Sequence, residues 1–232
     1  MKTVLFHCPK GGVGSTTLAA HLALHAARNG LPTVAVSVDA SGHLMRLLNG
    51  DDTELVQDSL IEVAPNLRAI YAPAELPDLG CFDCGKRLAL LVIDMKYCGE
   101  VTLPFSVDLR IVPIIDACAL RNIASEVARP GLQAQVTALV LNQYDLLSSR
   151  QTAAQQVASV RPNTVLHPVQ IPNAQSIREA GERYQCVWDS AFRDSWSSRQ
   201  LRAWAAQTLQ QLALEPVQVG LADATPRSAP PC

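Results

Sequence analysis

The stretch Cys8-Pro9-Lys10-Gly11-Gly12-Val13-Gly14-Ser15-Thr16-Thr17 constrains this chain more than any other. A short apolar run, Thr3 to Phe6, precedes it, and an alanine- and leucine-rich segment, Leu18 to Ala27, follows. The local reading is strand, glycine loop, helix. Gly11, Gly12 and Gly14 let the backbone turn tightly and bring several N–H groups toward one point. A helix starting near Ser15 adds free N–H groups and the positive end of its dipole. Together these make a cradle for an anion such as a nucleotide's phosphates. Thr16, in the first turn, is placed to set its hydroxyl on Mg²⁺.

The rest of the sequence suits such a site. The chain has 232 residues, 48% of them hydrophobic and 17% charged, as a two-sided buried sheet requires. A net charge of −2 gives no bulk pull toward nucleic acid or acidic lipid. No stretch approaches the roughly 18 apolar residues of a membrane span, and no signal peptide is evident, so a cytoplasmic location is expected. The seven cysteines then read as reduced thiols. Cys81 and Cys84 form a lone CxxC: two loop thiols, or half of an inter-subunit metal site.

Further strands are predicted at Thr33–Val38, Leu67–Tyr71, Leu88–Asp94, Val107–Ile115, from Val136 to about Asn142, and at Val165–Val169. Helices are predicted at 117–129, at 148–160 and at Ser195–Leu214. The last of these places Trp196, Leu201, Trp204, Leu209 and Leu212 on an apolar face. Residues 73–85 read as surface loop. Two strands end in a carboxylate, Asp39 and Asp94. An acid at the carboxyl end of a parallel strand lies where open α/β sheets bind ligands. Asp39 is also placed to cap a following helix. The pattern as a whole predicts an α/β fold: a mostly parallel, twisted sheet of about seven strands, flanked by helices on both faces.

The glycine loop resembles the deviant Walker A loop of the ParA/MinD family, Lys-Gly-Gly-x-Gly-Lys-Thr-Thr/Ser, with Ser15 in place of the second lysine. Further landmarks fall in the same order. Asp39 and Gly42 match the family's switch I, although Ala40, Ser41 and His43 do not. Asp94 resembles the Walker B aspartate, but Met95-Lys96 replaces the small residue and prolines that usually follow. Ala119-Leu120-Arg121, Asn142-Gln143-Tyr144-Asp145 and Ile171-Pro172 through Glu179-Ala180 match family segments as well, with Asn173 in place of a basic residue.

The resemblance covers roughly residues 2–190. It implies a SIMIBI-type P-loop NTPase fold in residues 1–215; the Pro/Ala-rich composition of residues 216–232 predicts a disordered tail. It implies binding of ATP and Mg²⁺ through Lys10, Gly11, Gly12, Val13, Gly14, Ser15, Thr16 and Thr17. Asn142 and Pro172 are implied near the base. Thr16, Asp39 and Asp94 are implied around the metal, and Lys10, Asp39 and Asp94 in catalysis.

By the same resemblance the chain is an ATP-dependent homodimer that positions a cargo, such as plasmid or chromosomal DNA or a cell-envelope machine. A partner protein would stimulate its weak hydrolysis. The change from lysine to a small residue also occurs in the TadZ/CpaE pilus-localisation branch. Arg178, Arg183, Arg193, Arg199 and Arg202 form either a non-specific DNA surface or a solvated helix face. A nucleotide-independent scaffold and a small-molecule ligase of the same superfamily are the alternatives. Ser15 argues against the ligase.

Overall fold

The computed structural model describes residues 1–8, 11–50, 55–73, 76, 87–96, 103–115, 134–143 and 163–214. The helices expected at 117–129 and 148–160, the CxxC pair, most of the 73–85 loop and the 216–232 tail lie outside them, as does Lys10.

Eight strands form one sheet: β1 (Lys2–Cys8), β2 (Thr33–Ser37), β3 (Leu60–Ala64), β4 (Leu67–Tyr71), β5 (Leu90–Lys96), β6 (Val107–Ile114), β7 (Ala134–Leu141) and β8 (Thr164–Leu166). Their order is β3-β4-β2-β5-β1-β6-β7-β8. The pairs β2–β4, β2–β5, β1–β5, β1–β6, β6–β7 and β7–β8 are parallel, and β3–β4 is antiparallel. The chain leaves β1 toward β2 on one side and later crosses to β6 on the other. The ligand crevice of such a sheet opens at the carboxyl ends of its strands, at this reversal.

The sheet has one strand more than expected. β3 is a half-exposed edge strand with an irregular register between Glu62 and Ala64. It is joined to β4 by a tight turn in which Asn66 takes φ 64°. Its sequence, Leu-Ile-Glu-Val-Ala, has no clean alternation, because an edge strand does not demand one. β8 is shorter than the expected 165–169. The N–H of His167 still reaches the Leu139 carbonyl at 2.9 Å, but Pro168 has no N–H with which to continue the ladder.

One sheet face, carrying Val4, Phe6, Ala35, Val92, Ile111 and Val140, packs under all four described helices. These are α1 (Ser15–Arg28), α2 (His43–Asn49), α3 (Gln175–Glu182) and α4 (Trp196–Gln211). α1 is buried almost all round, and its many alanines let sheet and α4 approach it closely. Trp204 of α4 is fully buried, with its ring edge-on to Phe6 at 6.3 Å. The Ser195 side chain accepts the Ser198 N–H at 3.2 Å and caps α4. Trp196 departs from the expected apolar face: it is 56% exposed, while Ser197 and Ser198 beside it open the buried stripe that continues through Leu201 and Trp204. The opposite sheet face carries a second buried cluster around Leu5, Val36, Ile93 and Met95.

Candidate nucleotide site

β1 stops at Cys8, and the loop that follows rises to α1. Gly12 and Gly14 take φ 73° and 86°, a region that a side chain reaches only under strain. Gly14 is the N-cap of α1, and its carbonyl accepts the Leu18 N–H at 3.0 Å. A Cβ at Gly14 would also collide with the Asn142 amide nitrogen. That nitrogen donates to the Val13 carbonyl at 2.6 Å, and Gln143 Nε2 donates to the Gly12 carbonyl at 3.2 Å. Two amides at the end of β7 thus strap the loop down by its carbonyls. Asn142, which the resemblance implies near the base, thus commits one of its two amide N–H donors to Val13. At the first helical position the Ser15 hydroxyl is buried and has no hydrogen-bond partner among the described residues.

Two cavities adjoin over this loop. The larger, about 660 Å³, is lined by Gly11 through Thr17 with Asp39 and Asp94. The smaller, about 430 Å³, is lined by Asn142, Ile171, Pro172, Leu47, Ile177 and Tyr184, among others. Gly14, Thr16, Thr17, His43 and Gln143 line both. The first is the more polar of the two and holds both acids; the second is mostly apolar, with amides and with Arg178 and Glu182. The described residues of the sequence-predicted set therefore converge on one place.

Asp39 works differently from the expected helix cap. Its carboxylate accepts the Ser41 N–H at 3.0 Å and the Ser41 hydroxyl at 2.8 Å, closing a tight turn. Gly42, at φ 59°, is the N-cap of α2. Tyr71 steadies this turn by donating to the Ala40 carbonyl at 2.9 Å. Asp94 is 3% exposed on β5, in register with Phe6 of β1 and Ser37 of β2. Among the described residues no group of three or more His, Cys, Asp or Glu could hold a metal ion. The set is nevertheless the kind Mg²⁺ accepts, since that ion uses one or two carboxylates plus water and substrate phosphates. Thr16, Asp39 and Asp94 lining one cavity fit it on that ground.

His21 escapes sequence reading, although it lies one helical turn after Thr17. Its Nδ1–H donates to the Thr17 carbonyl at 2.6 Å, and its Nε2 accepts the Val187 N–H at 3.2 Å. Both nitrogens are used by the neutral ring, and burial lowers its pKa to about 4. The Trp188 ring stands edge-on to it at 4.9 Å. The first turn of α1 is thereby tied to the Val187–Asp189 turn.

The five arginines do not act alike. Arg178 lines the smaller cavity, and its Nη1 donates to Asn173 Oδ1 at 3.3 Å. Arg199 donates to the Asp194 carbonyl at 2.7 Å and Arg202 to the Arg193 carbonyl at 3.1 Å. The guanidiniums of Arg202 and Arg28 lie 5.9 and 5.8 Å from the Trp188 ring centroid.

A family model, the CobQ/CobB/MinD/ParA nucleotide binding domain, matches residues 4–187. The chain belongs to this family. Solved structures share the family fold at low identity. MinD of Pyrococcus horikoshii, complexed with Mg-ADP, is 19% identical, with 91% of this chain and 97% of that chain covered and a TM-score of 0.65. The MinC:MinD cell division complex of Aquifex aeolicus gives 13% identity, 90% and 96% coverage and a TM-score of 0.67. A ParA family ATPase from Chlorobium tepidum gives 16% identity, 88% and 97% coverage and a TM-score of 0.62. No curated protein matches the chain. Among the described residues no helix is long and apolar enough to cross a membrane.

Proposed function

We propose that this family member is a ParA/MinD-type nucleotide switch that binds ATP with Mg²⁺ and dimerises on it to position a cargo in the cytoplasm. The observation that carries the reading is the pair of adjoining cavities, one holding both acids and the other mostly apolar, sharing Gly14, Thr16 and Thr17 at the start of α1. The base would lie against Ile171 and Pro172. The phosphates would meet the main-chain N–H groups of the loop, which survive the loss of one lysine. Mg²⁺ would be held by the Thr16 hydroxyl and, directly or through water, by Asp39 and Asp94. It would supply charge neutralisation on the phosphates. Asp39, fixed by Ser41, is suited to orient an attacking water. The Ser15 hydroxyl is a buried donor awaiting an acceptor, as a phosphate oxygen would be.

Dimerisation rests on Lys10, which matches the family lysine that reaches the partner's phosphates. Light scattering with a non-hydrolysable ATP analogue should show a dimer, lost in Lys10→Ala. A monomer indifferent to nucleotide would contradict the switch. The second reading, a nucleotide-independent scaffold, is favoured by Ser15 itself, which removes the loop's fixed charge. DNA as cargo or track predicts binding that weakens steeply with salt and falls on loss of Arg199 and Arg202. Salt-insensitive binding, or none, points to another cargo.

A further inference from the structure

The larger cavity has an uneven charge. Among the described residues that line it, Asp39 and Asp94 are acids, and His43 is the only side chain that can carry a positive charge. His43 also lines the smaller cavity, so it stands where the two meet. It is the first residue of α2, and Leu47, one turn later, lines the smaller cavity as well. Its backbone is held firmly. Gly42 before it takes φ 59°, and a Cβ there would strike Leu55. The turn is closed by Asp39 on Ser41 and by Tyr71 on the Ala40 carbonyl. The imidazole itself is exposed. A nucleotide with its base in one cavity and its phosphates in the other must pass its sugar and first phosphate through this junction.

We propose that His43 is a nucleotide-contact residue whose imidazole N–H donates to the phosphate next to the sugar. The assignment rests on the nucleotide reading of the two cavities. A contact at the first phosphate is common to ADP and ATP. It helps hold nucleotide in either state and leaves discrimination of the terminal phosphate to other groups.

The test is calorimetric titration of the full chain with ADP, ATP and 2′-deoxy-ADP, each with Mg²⁺, for the unmodified protein, His43→Ala and His43→Arg. His43→Ala should weaken all three ligands by the same factor, about tenfold or more. His43→Arg, which keeps a hydrogen-bond donor, should stay within about threefold of the unmodified protein. Because the side chain is exposed, thermal unfolding of both variants should match the parent. Unchanged affinity in His43→Ala would overturn the assignment. So would a loss confined to ATP, which marks a terminal-phosphate contact, or a loss that disappears with 2′-deoxy-ADP, which marks a ribose contact. An unmodified protein that binds none of the three refutes the nucleotide reading itself. Binding that ignores His43 refutes only this inference.

Discussion

Gly14 is the residue with least freedom to change. Its φ of 86° disfavours any side chain, and the space beside it is filled by the Asn142 amide that fastens Val13. Gly14→Ala should cost roughly 1–3 kcal/mol of stability from backbone strain alone, measurable by denaturant unfolding. It should also weaken nucleotide binding, because Asn142 must move and release the loop. Ser15 is the reverse case, a residue whose replacement should add function. Loss of one preorganised donor at a transferring phosphoryl group costs on the order of a hundred- to a thousandfold in rate. Basal hydrolysis should therefore be very slow, and Ser15→Lys should raise it by a comparable factor in a phosphate-release assay. Lys96, two residues after Asp94, is the candidate for a compensating charge. If Lys96→Ala removes the residual turnover, Lys96 is the clamp. If it does nothing while Ser15→Lys restores turnover, the site has simply lost one. Fast hydrolysis insensitive to Lys10 and Lys96 would contradict this account.

At the scale of elements, α1 carries both site and core. Its first turn lines the cavities while the rest is sandwiched between sheet and α4. Trp204 of α4, fully buried against Phe6 of β1, anchors that sandwich. Trp204→Ala should cost about 3–5 kcal/mol, read as a shift in the denaturant midpoint with the slope preserved. Trp196, exposed on the same helix, should tolerate alanine with a change within about 0.5 kcal/mol. Regular elements were legible where burial imposes a pattern: the centres of β1, β2 and β5 are continuous apolar runs, and β6 keeps one after Arg110, as strands covered on both faces must. The edges were not. β3 is half-exposed and lacks that pattern, and β8 is cut short by Pro168. Trp196 misled because the 3.6-residue period puts it off the buried stripe, which the small polar Ser197 and Ser198 occupy in the first turn.

Over the whole molecule, two buried histidines tie distant parts together and set its response to acid. His21 joins the first turn of α1 to Val187. His167, after β8, accepts the Val169 N–H through Nδ1 at 3.1 Å and faces the Thr208 hydroxyl of α4 through Nε2 at 3.2 Å. Burial lowers both pKa values to about 4. The neutral ring is the folded form, while the unfolded chain takes up protons near pH 6.5. Stability contributed this way is complete above about pH 6.5 and is lost as the pH falls toward 4, by roughly 3 kcal/mol per histidine. Thermal melts should fall steeply across that window, and less steeply in His167→Gln. A flat profile would contradict the assignment.

The same division explains what the sequence disclosed of the site. Glycine loop, Asp39, Asp94, Asn142 and Pro172 are marked by residue type at strand ends, and the fold brings them to one crevice. The role of Asn142 as a strap, the His21 link and the position of His43 depend on contacts between segments far apart in the chain, which spacing alone does not encode.

The central claim, that the paired cavities take one nucleotide, is tested most directly by titrating the full chain with ATP and Mg²⁺ in a calorimeter. The account predicts saturable binding of one ATP per chain, abolished by Gly14→Ala at nucleotide concentrations that saturate the parent. No binding at millimolar ATP with Mg²⁺ would contradict it.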